Sequence, residues 1–235
     1  MHDGVRSGLR SRPSVIIPAL NEAGVIGALV ARIPRELVGE VLVVDNGSTD
    51  GTAGEAARAG ARVVSEPRRG YGAACWAGVT ALDGAADVAV FLDGDGSQRP
   101  EELARVLAPL EAGRADLVLG ARAPSADHPW HATLGTRALA AFVSWRYRLR
   151  LTDVPPFRAI RVPVLHRLRM RDRAFGWPVE MIVKAAALGA RIVEVPVSHE
   201  PRQAGRSKVS GTVLGSARAA YGFLRAAARA AADVR

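Results

Sequence analysis

With 235 residues, 49% hydrophobic and 23% charged, the chain has ordinary globular composition and room for one sizeable domain or two small ones. A single cysteine, Cys75, excludes an internal disulfide and argues against a structural zinc site; no run of 18 apolar residues reads as a spanning helix, and the first residues lack the apolar centre of a signal peptide. The net charge of +9, nearly all of it from arginine, asks for an anionic partner such as nucleic acid, a phosphorylated metabolite or an anionic lipid surface, and the scattered aromatics set nucleic acid aside.

After a flexible N-terminus over residues 1–12, short runs rich in Val, Ile and Leu read as buried strands: SVIIP (14–18), VLVVD (41–45), ARVVS (61–65), VAVFLD (88–93) and DLVLG (116–120). Helical patterns lie between them, in NEAGVIGALVARI, STDGTAGEAARAG, GYGAACWAGVTAL and RPEELARVLAPLEAG. Such alternation predicts an α/β fold with a mainly parallel sheet covered by helices on both faces, whose ligands bind beyond the carboxyl ends of the strands. Farther on, residues 131–149 read as a helix, GWPVEM opens an apolar helix, RIVEVPV is the last strand, and 211–235 form a C-terminal helix carrying Arg218, Arg225 and Arg229.

The strand ends are polar. PALNE closes the first strand, DNGSTDGT the second and DGDGSQ the fourth, which gathers Asn21, Glu22, Asp45, Asp93 and Asp95 at one edge. Asn-Gly followed by Ser, Thr and Asp also suits a turn and helix cap, which accounts for Gly47 to Thr52 but leaves Asp45 unexplained. Asp93 and Asp95 repel one another across Gly94 unless a cation lies between them, and Mg²⁺ or Mn²⁺ shared with substrate phosphates is such a cation. A solvated loop with Asp95 as a helix cap is the alternative. Gly70 and Gly72 allow close backbone approach and open a helix whose N-terminus favours an anion.

In order and spacing, VIIPALNE, VLVVDNGSTDGT, RRGYGAACWAG and VFLDGDGSQRPEE resemble the nucleotide-diphospho-sugar transferases of glycosyltransferase family 2. TDVPPFRAIR, FGWPVEMIVKAAALGARIVEVPV and RQAGRSKVSGT resemble its dolichyl-phosphate mannose synthase branch. The resemblance implies a GT-A (Rossmann-like) domain over 13–210 with a C-terminal helical extension, a GDP- or UDP-sugar donor, inversion at the anomeric carbon, and a polyprenyl phosphate acceptor. A soluble hydroxyl acceptor, phosphoglycerate or saccharide, and a non-catalytic nucleotide-sugar-binding module are the alternatives.

Carried onto this sequence, the resemblance places Pro18, Asn21, Glu22, Asp45, Gly72 and Asp93 around the nucleotide sugar. It places Asp93 and Asp95 on the metal with Ser97 or Gln98 assisting, and Arg122, Arg137 and Ser207 toward the acceptor. Asp95, Glu180, Arg202 and Lys208 are the expected catalytic residues, Arg202 and Lys208 through a loop of pattern R-x-x-G-x-S-K. Arg158, in the branch's FR pair, is expected to support the site without touching substrate. The implied location is cytoplasmic, peripheral on the inner face of the membrane. The C-terminal arginines are placed against anionic lipid, with packing on the domain, a homo-oligomer or a membrane-protein partner as the other uses of that helix.

Overall fold

The computed structural model describes residues 12–122, 140–141, 143–202 and 229. The five strands expected in the first half form as β1 (Pro13–Ala19), β2 (Glu40–Asp45), β3 (Arg62–Ser65), β4 (Val88–Phe91) and β5 (Leu117–Arg122). Two more follow, β6 (Arg158–Arg161) and β7 (Ile192–Val197), in one sheet of order β3-β2-β1-β4-β6-β5-β7. All neighbours are parallel except β6, which runs antiparallel to both β4 and β5. The arginines at both ends of β6 interrupt its apolar pattern, which is why the sequence does not announce it as a strand.

Side chains alternate across the sheet, and both sets are apolar. Ile16, Leu42, Phe91, Leu119 and Ile160 face one cluster, while Val15, Ile17, Val43, Val90 and Val118 face the other. A period of two with oil on both sides requires covering helices on both faces. On the first face lie α3 (Tyr71–Thr80), α5 (Val162–Leu168) and α6 (Trp177–Ala187), represented in the cluster by Cys75, Leu165 and Trp177. On the second lie α1 (Ile26–Ala31), α2 (Thr52–Arg58) and α4 (Leu103–Glu111), represented by Leu29, Ala56 and Leu107. α5 was not foreseen, because VPVLHRL is short and breaks its stripe with His166 and Arg167.

The parallel pairing sends the carboxyl ends of β1, β2, β4 and β5 to one edge. Antiparallel β6 begins there, with Arg158 in register with Phe91 on one side and Leu119 on the other. β7 ends there too, and the chain then turns back over the loop after β4: Gln98 and His199 form an antiparallel bridge, and the Glu200 N–H donates to the Ser97 carbonyl at 2.8 Å. Arg202 thereby reaches the strand ends. Of the expected helix at 131–149, residues 140–141 and 143–147 are helical and the remainder lies outside the described residues; of the C-terminal helix only Arg229 is described.

Candidate active site

The loop after β1 is fixed before any ligand is considered. Asn21 stands at φ 52°, a conformation asparagine tolerates better than most residues, and its Oδ1 accepts the Thr49 N–H at 2.9 Å. The Asn21 N–H donates to Ser48 Oγ and the Glu22 N–H to Thr52 Oγ1, each at 2.9 Å. DNGSTDGT therefore acts as a brace for PALNE as well as a turn. Asp45 closes β2, and its Oδ1 accepts the Ser48 N–H at 3.0 Å. Pro18 is buried within β1.

Asn46 is the residue the sequence reading missed. Buried beside Asp45, its Nδ2 donates to the carbonyls of Glu66 (2.8 Å) and Arg68 (2.7 Å), while its Oδ1 accepts the Gly70 N–H at 2.8 Å. One amide thus holds the whole connection from β3 to α3. Its only signal was the Asn-Gly pair, which the turn reading absorbed.

The close approach at Gly70 and Gly72 is made by protein. A Cβ on Gly70 would overlap the Arg173 carbonyl oxygen, and one on Gly72 would overlap that of Asp172. The N–H groups of Gly72 and Ala73 donate to the carbonyls of Ala174 (2.9 Å) and Arg173 (3.0 Å). This corrects the expectation of an anion at the start of α3: two of the helix's first donors are already taken by the 172–174 segment.

Asp93 and Asp95 follow β4 into a scaffold built by their neighbours. The Asp93 N–H donates to Gln98 Oε1 at 2.8 Å, and Gln98 Nε2 donates to Ser97 Oγ at 3.3 Å. Asp95 Oδ1 accepts both the Ser97 N–H (3.0 Å) and the Ser97 hydroxyl (2.6 Å). Ser97 and Gln98 both orient the carboxylates, and Gln98, expected among the metal ligands, has its carbonyl oxygen engaged by Asp93. Asp95 Oδ2 lies 3.1 Å from Nη2 of Arg202, whose Nη1 lies 3.1 Å from Oε1 of Glu22.

Beneath this loop sits Arg158, with 0% exposure. Its guanidinium carbon lies 5.5 Å from the Phe91 ring centroid, and its Nη2 donates to the Tyr71 hydroxyl at 3.4 Å. Nε and Nη1 of Arg158 and Oδ1 of Asp93 are buried without a hydrogen-bond partner. Burial and the charge of Asp95 push the Asp93 carboxyl up to about 6, against the opposing pull of Arg158, the Tyr71 hydroxyl and Arg202. Burial likewise raises the Tyr71 hydroxyl and the Cys75 thiol well above their ordinary ranges, so both are neutral.

These carboxylates suit a hard divalent cation that completes its shell with substrate oxygens. Among the described residues no group of three or more His, Cys, Asp or Glu side chains is placed to hold an ion by itself. An unpartnered buried carboxylate oxygen on Asp93, next to the Asp95 carboxylate that faces the Arg202 guanidinium, would give the one or two protein ligands that Mg²⁺ typically takes beside phosphates.

Two residues expected near the acceptor already have protein partners. Arg122 is bidentate on Asp153, with Nε to Oδ2 and Nη2 to Oδ1 both 2.7 Å, so one edge of its guanidinium is committed. Burial raises the Asp153 carboxyl, but the hydrogen bond and charge of Arg122 outweigh it and hold that carboxyl below its usual range. Glu180, expected to be catalytic, has both oxygens occupied: it accepts the Arg171 N–H (2.9 Å), the Asp172 N–H (2.7 Å) and a 2.6 Å ion pair from Lys184. It clamps the segment that packs on Gly70 and Gly72. Arg137, Ser207 and Lys208 lie outside the described residues.

Comparison with known proteins agrees with this architecture. The profile of glycosyl transferase family 2 matches residues 14–172. An uncharacterized glycosyltransferase of Mycobacterium tuberculosis is 45% identical over 86% of this chain and 92% of its own. The undecaprenyl-phosphate mannosyltransferase of Micrococcus luteus is 35% identical over 88% of this chain and 90% of its own. The polyprenol monophosphomannose synthase of Mycolicibacterium smegmatis is 32% identical over 86% and 82%. In fold, the chain is similar to glucosyl-3-phosphoglycerate synthase of M. tuberculosis solved with Mn²⁺, UDP and phosphoglyceric acid, with a TM-score of 0.78 at 23% identity over 94% of this chain and 78% of that one.

Proposed function

The chain belongs to glycosyl transferase family 2, with relatives in its dolichyl-phosphate mannose synthase-like branch, and from that premise we propose that it moves a hexose from a nucleoside-diphosphate sugar to a polyprenyl phosphate. The observation that carries this reading is the state of the acceptor-side carboxylates. Asp153 is tied to Arg122, and Glu180 is saturated by two backbone N–H groups and Lys184. Neither is poised to take a proton from a sugar hydroxyl. A phosphate acceptor needs no such base, because its oxygen is already anionic near neutral pH.

In this reading Asn21, Glu22 and Asp45 border the nucleotide, and Asp93 and Asp95 hold Mg²⁺ or Mn²⁺. When bound, that ion offsets negative charge on the departing diphosphate. Arg202, already at the carboxylate pair, shares that task with Lys208. The acceptor phosphate oxygen forms a bond to the anomeric carbon as the bond from that carbon to the diphosphate oxygen breaks on the opposite face, releasing the nucleoside diphosphate and inverting the centre. Arg122 keeps one edge of its guanidinium for the acceptor phosphate, with Arg137 and Ser207 beside it. Gln98 and Ser97 keep the carboxylates in place and touch no substrate.

A soluble phosphorylated acceptor is the second reading, favoured by the likeness in fold to glucosyl-3-phosphoglycerate synthase. At 22% identity that likeness concerns the fold, while relatives named for polyprenyl phosphate chemistry match at 32–35% over most of both chains. The location that goes with the favoured reading is peripheral, on the cytoplasmic face of the membrane; no helix among the described residues is long and apolar enough to cross it. The test is incubation of the purified protein and Mn²⁺ with a panel of GDP- and UDP-sugars plus either polyprenyl phosphate or 3-phosphoglycerate. Glycolipid formation is expected, and transfer to phosphoglycerate alone overturns the reading.

A further inference from the structure

Trp145 is 77% exposed, against 42% for Phe175 and 36% for Leu188, the two other large hydrophobic side chains left open among the described residues. Arg146, Arg148 and Arg150 follow it, all exposed, and the Arg146 guanidinium lies 5.1 Å from the centroid of the Tyr147 ring. The chain has no acidic residue between Asp127 and Asp153, so no carboxylate of this segment offsets the three arginines.

The segment is held in shape. Val143 is buried; Arg148 takes φ 55° where the helical run ends; the Leu149 N–H donates to the Ser144 carbonyl at 3.0 Å and the Leu151 N–H to Ser144 Oγ at 2.9 Å. Thr152 and Asp153 are then fixed by Glu194, with the Thr152 N–H at 2.8 Å and its hydroxyl at 2.9 Å from that carboxylate. Arg150 is three residues from Asp153, a reach of at most about 11 Å, and Asp153 grips Arg122 at the carboxyl end of β5. The last arginine of the run therefore lies within that reach of the residue that grips Arg122 at the sheet edge.

From these features we infer that Trp145 with Arg146, Arg148 and Arg150 forms a docking surface for an anionic lipid bilayer. An indole settles at the headgroup level, where its apolar body is buried and its N–H stays hydrated, and guanidinium groups beside it meet lipid phosphates. Three arginines with one exposed tryptophan, and no carboxylate of their own segment, complement an anionic surface of that kind. Docking there brings the sheet edge to the membrane plane, where a lipid-linked phosphate presents its head. The inference rests on the membrane-held acceptor proposed above.

Co-sedimentation with vesicles of phosphatidylcholine, with and without phosphatidylglycerol, tests it. The full-length protein is expected to bind the anionic vesicles at low salt and to shift its tryptophan emission to the blue, and Trp145→Phe should remove most of that shift. Replacing Arg146, Arg148 and Arg150 together by Ala should weaken binding on the order of 100-fold, at roughly fivefold per arginine. Trp145→Ala alone should weaken it severalfold at any salt, which keeps the test open if the triple variant folds poorly.

Equal binding of wild type to neutral and anionic vesicles, or triple-variant binding equal to wild type, overturns the inference. So does capture by protein-containing membranes without capture by lipid vesicles, since that outcome assigns the surface to a protein. Turnover on a short-chain, water-soluble polyprenyl phosphate should be the same in all variants. If wild type fails that assay the proposed function falls, whatever the vesicles show.

Discussion

Nη2 of Arg202 stands 3.1 Å from Oδ2 of Asp95, and the same guanidinium reaches Glu22, so a loop that follows the last strand is fastened to carboxylates at the ends of the first and fourth. The bridge between Gln98 and His199 lays the same stretch of chain along the loop after β4. The Arg202 contact places a fixed positive charge at the position where a divalent cation would approach Asp95. In the proposed reaction Arg202 would stand in for the ion and, once displaced from Asp95, would donate to the diphosphate.

Arg202→Ala separates these roles. Without nucleotide, Mn²⁺ should bind the variant at least as tightly as wild type, because the ion no longer competes with a guanidinium. Turnover should fall tenfold or more, the worth of a charge-assisted contact of about 1.5–3 kcal/mol. Titration calorimetry with Mn²⁺ and a radiolabelled transfer assay measure the two. Markedly weaker Mn²⁺ binding in the variant would contradict the competition.

The elevated Asp93 carboxyl gives a pH dependence whose sign is fixed. Its folded value, up to about 6, lies above the ordinary value of about 3.9, so the folded state holds the proton more firmly. The stability it contributes is fully present below about pH 4 and is lost as pH rises through about 6. Cation binding needs the ionised form and runs the other way: Mn²⁺ affinity should fall nearly tenfold per pH unit below that point. Asp93→Asn should abolish Mn²⁺ binding and, at pH 8, melt at a higher temperature than wild type. A lower melting temperature there would show that the buried charge is well compensated.

Sequence made Asp45 and Asp93 visible because each directly follows an apolar run. Asp95, one glycine farther on, also suits a helix cap and gains its reading from the other strand ends and the family resemblance. What sequence did not show is which polar groups are already taken by distant partners. Glu180 looks like a free first-turn carboxylate until Arg171 and Asp172 fold back on it, Arg122 looks like an open phosphate ligand until Asp153 arrives, and Gly72 looks like a ligand cradle until residues 172–174 fill it. β6 escaped for a related reason: Arg158 is a charge inside the core, and hydrophobic patterning cannot identify a strand that begins with one.

The glycines of the GYG stretch should prove structural. Gly70 has φ 147° and, like Gly72, no room for a Cβ against a backbone carbonyl. Since backbone on both sides would have to move, Gly72→Ala should cost on the order of 2–4 kcal/mol, readable in urea denaturation, and should loosen the 172–174 segment to proteolysis. Nucleotide affinity of the fraction that remains folded should change little. A well-folded Gly72→Ala protein with selectively weakened nucleotide binding would restore the anion reading of that helix end.

Glu180→Gln makes a parallel case. The Glu180–Lys184 pair is buried, with 5% and 3% side-chain exposure, and removing the Glu180 charge takes the carboxylate from an ammonium whose Nζ also donates to the Arg169 carbonyl at 3.1 Å. The expected loss is roughly 3–5 kcal/mol of stability, with turnover per folded molecule retained. Adding Lys184→Met to the variant should recover part of that loss, since it removes a buried ammonium that has lost its carboxylate. Loss of turnover at unchanged stability would return Glu180 to the catalytic set.

The nature of the acceptor can be read from Arg122 and Asp153 used as a pair. If a hydroxyl is activated, Asp153 is the acceptor-side carboxylate nearest the role of base, and Asp153→Asn should lower kcat by a hundredfold or more and abolish the acidic limb of its pH profile. With a phosphate nucleophile the carboxylate only holds the guanidinium in place. Asp153→Asn should then raise the acceptor KM and spare most of kcat, because a misaimed Arg122 binds the phosphate less well but no proton needs to move. Arg122→Ala should raise the same KM by tenfold or more, and the double variant should be little worse than Arg122→Ala, since both changes remove one interaction. Steady-state kinetics of the three variants on polyprenyl phosphate, with melting curves to correct for unfolded protein, decide between the two. A selective collapse of kcat in Asp153→Asn, with Arg122→Ala close to normal, moves the assignment to a hydroxyl acceptor.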